Sequence, residues 1–148
     1  GAGISRNVTY FNIAAQDIVV VTAPEPTAIT DAYAMTKVLS QKYRVPCFKI
    51  LVNMVEAEGE GKEVFRKLSA ACDRFLNISL DYLGYILVDE NLSQAVRQQR
   101  ALQELKPRSP ASRCMRELAE RLLKMPRSSF LSGGVQFFWR SLLKGEPR

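Results

Sequence analysis

The 148-residue sequence predicts an α/β fold: a mostly parallel sheet with helices on both faces, followed by C-terminal helices. Two observations carry this. Ile18 to Val21 is a continuous β-branched run rather than an alternating one, the pattern of a strand covered on both sides in a parallel sheet. A second apolar run, Ile50-Leu51-Val52, follows only after a segment with helical spacing, so the two strands need a crossover between them.

That segment places Ile29, Ala32, Tyr33, Thr36 and Leu39 three or four residues apart, giving one packing face with Asp31 and Lys37 off it. After Asn53, residues 56 to 63 read as a polar loop leading into a helix over about 62–76, which is expected to bury Phe65, Leu68, Cys72 and Phe75. A third strand over 82–88 completes a second β-α-β step, for which right-handed crossovers are the rule. Residues 93–99 predict a short helix. Ser109 as N-cap and Pro110 at the first helical position then open a helix reaching Lys124, with an apolar stripe of Met115, Leu118, Ala119 and Leu122. Residues 1–127 form one expected domain, and 128–148 a joint at Gly133-Gly134 with a last amphipathic helix.

Composition narrows the function. Cys47, Cys72 and Cys114 are scattered and the chain has no histidine, which excludes a Cys/His zinc site and suits buried free thiols. No apolar run approaches the roughly 20 residues needed to span a bilayer, so a soluble, cytoplasmic protein is expected. Residues 1–90 carry 9 Lys+Arg against 11 Asp+Glu, whereas 91–148 carry 12 against 4. The basic surface is therefore C-terminal, which suits an anionic membrane, a protein or nucleic acid, although a solvated basic helix has the same composition.

Ligands of open α/β sheets bind outside the carboxyl ends of the strands, which points to residues 23–27 and to Asn53. The Asn53 amide offers a donor edge and an acceptor edge, complementary to N6 and N7 of adenine, although an asparagine there can equally turn the chain. Pro24 and Pro26, around Glu25, fix a flat loop. Gly1-Ala2-Gly3 could let backbone approach a phosphate, or could be an extraneous leader. Gly61-Lys62 imitates a P-loop ending but fails as one: Glu63 stands where Ser or Thr must hold magnesium, and neighbouring glutamates would repel a polyphosphate.

The ordered succession of Gly-Ala-Gly-Ile-Ser at 1–5, Ala-Ala-Gln-Asp-Ile-Val-Val-Val-Thr at 14–22, Pro-Glu-Pro-Thr-Ala-Ile-Thr-Asp-Ala-Tyr at 24–33 and Leu-Val-Asn at 51–53 resembles the second half of a ParA/MinD-type deviant-Walker ATPase. Leu-Gly-Tyr-Ile at 83–86, Ala-Val-Arg-Gln-Gln-Arg-Ala at 95–101, Pro-Arg-Ser at 107–109 and Gly-Gly-Val-Gln-Phe-Phe at 133–138 resemble the flagellar-number regulators of the FlhG/FleN branch. The resemblance implies half of a P-loop NTPase-type fold. It places Gly1, Ala2 and Gly3 in the switch II loop beside the γ-phosphate, makes Asn53 the base-reading residue, and puts Pro24, Glu25 and Pro26 at the base-contacting wall. Leu87 departs from the pattern, since the family has proline there.

The implied ligands are ATP or ADP with Mg. The P-loop lysine and magnesium-linked aspartates are expected to precede residue 1, so this half alone should not turn over ATP. The implied partners are a second copy in a homodimer and proteins of flagellar placement. The last helix carries Val135, Phe138, Trp139 and Leu142 on one face with Arg140 and Lys144 beside them, which suits either the protein's own surface or an anionic membrane. The competing expectation is a non-catalytic docking module that binds protein, lipid or nucleic acid through its basic helices.

Overall fold

The computed structural model describes residues 17–125. Three strands, β1 (Val19–Thr22), β2 (Cys47–Val55) and β3 (Ser79–Leu87), pair in the order β1-β2-β3, and every pairing is parallel. Helix α1 (Pro26–Tyr43) joins β1 to β2, and α2 (Glu58–Phe75) joins β2 to β3. After β3 come α3 (Glu90–Arg97), the single turn α4 (Leu102–Leu105) and α5 (Pro110–Lys124).

The sheet has helices on both faces, as the sequence predicts. On one face Val20, Phe48, Ile50 and Val52 pack with Ala32 and Leu39 of α1 and with Val64, Leu68 and Cys72 of α2. On the other, Leu83 and Ile86 pack with Ala95, Leu102, Ala111, Cys114 and Leu118 of the three C-terminal helices. This second layer lies against β3 and does not extend over β1. Among the described residues β1 therefore buries Val20 and Thr22 but leaves Val19 at 37% and Val21 at 57% exposure. The expectation that the whole Ile18–Val21 run is covered on both sides is corrected at this strand.

Helix α1 buries the predicted face. Pro26 occupies its first turn, where its missing N–H has no helical acceptor to lose. Helix α2 begins at Glu58, so most of the expected 56–63 loop is its first turns. Gly61 lets this helix lie close against the sheet. It is buried against β3, and a Cβ at that position would lie 2.7 Å from Tyr82 Oη and 3.1 Å from Tyr85 Cβ. Phe75 is the second correction: it is 62% exposed under the Arg74 guanidinium, because Cys72 and then Leu76, in extended backbone beyond the helix, fill the last places against the core.

Strand β3 starts three residues earlier than predicted, at Ser79, and contains Gly84 at φ 147°, where a Cβ would lie 2.7 Å from Leu118 Cδ2. Helix α3 begins at Glu90 rather than Ser93 because Asp89 caps it. Helix α5 has the predicted start: the Ser109 side chain accepts the Ser112 N–H at 3.4 Å and Pro110 follows it. Its buried stripe is Ala111, Ser112, Cys114 and Leu118, with Met115 half-buried. Ala119 and Leu122 are exposed, because the face turned to β3 runs through Cys114 and Leu118 to Arg121, whose guanidinium donates to the Leu83 carbonyl at 3.1 Å.

Candidate nucleotide-base site at the carboxyl edge of the sheet

Parallel register gathers the candidate residues. Thr22 pairs with Val52, Val52 with Tyr85, and Val55 with Leu87, so the 23–26 loop, Asn53 and Leu87 all lie at the carboxyl ends of adjacent strands. Thr22 and Asn53, 31 residues apart, and Asn53 and Leu87, 34 residues apart, thus share one edge, each delivered there by a parallel strand.

The strand ends are not regular. Asn53 lies inside β2 rather than after it, because the pairing shifts between Val52 and Val55 and the strand resumes with Val55 fully buried. Residues 53 and 54 stand opposite the single residue Ile86, and Met54 takes φ 61°. A half-buried Asn53 and an exposed Met54 result, with the Val88 N–H donating to the Val55 carbonyl at 2.9 Å to hold the two strand ends together. Pro24 is half-buried, Glu25 and Pro26 are exposed, and Glu25 is the N-cap residue of α1 without a side-chain capping bond. Leu87 is half-buried and touches both cores. Thr22 Oγ1, at the end of β1, is buried without a hydrogen-bond partner among the described residues.

Charge at this edge favours a neutral group over a phosphate. The first turn of α2 carries Glu58 and Glu60, the Glu60 carboxylate accepts the Glu56 N–H at 2.7 Å, and Lys62 lies 2.7 Å from Glu58. The hydrogen bond and charge of Lys62 hold the Glu58 carboxyl below its usual range. These acidic groups already occupy the positive end of the helix. No group of three or more metal-ligating residues exists among the described residues. The residues present, an amide with two complementary edges amid apolar strand ends, fit a purine base. Gly1, Ala2 and Gly3, and the terminal set Val135, Phe138, Trp139, Arg140, Leu142 and Lys144, lie outside the described residues.

Beyond Leu87, Asp89 closes the edge. Its Oδ1 accepts the Asn91 N–H at 2.9 Å and the Asn91 side-chain amide at 2.7 Å, and its Oδ2 accepts the Ala111 N–H at 3.1 Å. One carboxylate thereby caps α3 and α5 together. Burial pushes its pKa up, but hydrogen bonds from the Ser109 hydroxyl, the Asn91 side chain and the Ala111 and Asn91 backbone outweigh this and lower it from 3.8 to about 2.

No family model matches the chain. Among curated proteins it is 39% identical over 143 residues to "Antiactivator FleN" of Pseudomonas aeruginosa, covering 97% of this chain and 51% of that protein. It is 32% identical over 148 residues to "Flagellum site-determining protein YlxH" of Helicobacter pylori, covering 97% of this chain and 50% of that one. Both matches run almost the full length of this chain, which is homologous to one half of each of these flagellar regulators. It spans about half the length of the curated relatives it matches.

Sequence reasoning placed the strand-end loop and Asn53 at the carboxyl edge where the structure has them, and did not anticipate the left-handed backbone of Met54 or the double role of Asp89. The Asp-x-Asn spacing before a helix was an available N-cap signal for the latter. No local signal marks a methionine for left-handed backbone.

Proposed function

We propose that this chain supplies the base-binding side of an adenine-nucleotide switch that acts in the regulation of flagellar number or placement. The observation that carries the reading is the convergence of the Pro24–Pro26 loop, Asn53 and Leu87 on one sheet edge, in a chain homologous to flagellar regulators throughout its length. Asn53 would accept from N6 and donate to N7 of adenine, a pairing that guanine, with its O6 acceptor, does not satisfy. Half-buried Leu87 and Pro24 would exclude water from the base. ATP with Mg is the proposed ligand of the whole protein, and Gly1 to Gly3 the segment nearest the γ-phosphate. Hydrolysis belongs to the intact protein rather than to these residues alone. Nucleotide-dependent homodimerisation would then present the protein to flagellar regulatory partners.

Asn53→Ala in the full-length protein should weaken ATP binding by about 1 to 3 kcal/mol, the usual loss for one buried polar pairing, as read by titration calorimetry. Unchanged affinity would return Asn53 to a purely structural role in the irregular end of β2. If the unsubstituted protein binds neither ATP nor ADP, the docking-module alternative replaces the switch.

A further inference from the structure

We infer that Met54 is the apolar wall against which the base is seated, and that the irregularity in β2 exists to display it. This rests on the nucleotide reading above and adds a residue to it. Three observations meet at this position. Met54 has φ 61°, a left-handed conformation that side-chain-bearing residues rarely adopt. Its side chain is 58% exposed even though it lies within a strand between fully buried Val52 and Val55. It is also adjacent in sequence to Asn53, at the edge where the candidate residues of three strands converge.

A regular β2 would place residue 54 on the same face as Val52, inside the core, and Asn53 on the opposite face with Leu51 and Val55. The shift between Val52 and Val55 undoes that alternation, returns Val55 to the α1–α2 core, and leaves the Asn53-Met54 pair to bend outward. Glycine would hold this backbone without strain. A thioether instead gives a polarizable, adaptable surface suited to the face of a flat heteroaromatic ring, while the neighbouring amide meets the ring's polar edge. Val88, 46% exposed just after β3, is a further large apolar side chain exposed at this edge, and its N–H bonds the Val55 carbonyl. Together they give the edge an apolar surface otherwise left in water.

Met54→Gly separates this role from a structural one, because it relieves the backbone strain while removing the wall. In the full-length protein, Met54→Gly should weaken ATP binding about tenfold, the scale set by burying one apolar side chain. Inorganic triphosphate binding and the melting temperature without nucleotide should be unchanged, or the latter raised. Met54→Leu should keep ATP affinity within about threefold, since it preserves most of the apolar area. ATP binding by Met54→Gly at the unsubstituted affinity would overturn the inference while leaving the nucleotide site intact, and so would a lower melting temperature with unaltered ATP affinity. Failure of the unsubstituted protein to bind ATP would overturn the site and this inference together.

Discussion

Asp89, just after β3, joins the N-terminus of α3 to the N-terminus of α5 through one side chain. Removing it should therefore loosen two helices at once. An N-cap contributes about 1 kcal/mol, so Asp89→Ala, which strips the cap of α3 and the acceptor of the Ala111 N–H while leaving the Ser109 cap of α5 in place, should cost up to about 2 kcal/mol. Asp89→Asn keeps one acceptor oxygen and turns an amide donor toward the other helix's N–H, so it should cost about half as much.

Hydrogen exchange on the full-length protein resolves the effect by segment. In the alanine variant, amides of the first turns of α3 and α5 should lose protection by about thirtyfold, the exchange equivalent of about 2 kcal/mol, while the β2 amides change little. The carboxylate also gives the effect a pH signature. Its folded pKa of about 2 lies below its ordinary 3.8, so its contribution is fully present above about pH 4, declines as pH falls through 3.8, and is lost near pH 2. Asp89→Asn should flatten stability across that window. Equal protection of α3 and α5 in the alanine variant and the unsubstituted protein, or an unchanged pH profile in the asparagine variant, would refute the double cap.

Gly61→Ala would ordinarily stabilise a helix by about 1 kcal/mol, but here the added Cβ meets Tyr82 Oη at 2.7 Å and Tyr85 Cβ at 3.1 Å, so denaturant unfolding should show net destabilisation. The Tyr82 hydroxyl is buried without a partner among the described residues, so Tyr82→Phe should be neutral or stabilising alone and should partly rescue Gly61→Ala. At the C-terminus, Phe138→Glu with Trp139→Glu should abolish sedimentation of the full-length protein with anionic liposomes while leaving ATP affinity intact. Wild-type protein that ignores such liposomes in both nucleotide states would remove the membrane role.

Much of this protein is legible in its sequence, because periodicity is a local property. The Ile29–Leu39 spacing fixed the buried face of α1, the apolar runs fixed three strands, and Ser109-Pro110 fixed the start of α5, each through backbone rules that act within one helical turn or one strand. Two β-α-β steps then determined a parallel sheet and, with it, the edge to which Pro24–Pro26, Asn53 and Leu87 are delivered. What only the tertiary structure decided depends on neighbours distant in the chain. Position 61 suits glycine because two tyrosines of β3 crowd it, and Val21 stays exposed because the second helical layer ends over β3. Met54 turns left-handed because Val55 must re-enter the core after Val52 has already done so. Asp89 caps a second helix only because folding brings the Ala111 N–H, 22 residues away, to its free oxygen. Local pattern sets which residues form an element, whereas the partner that each side chain finds is set by packing between elements.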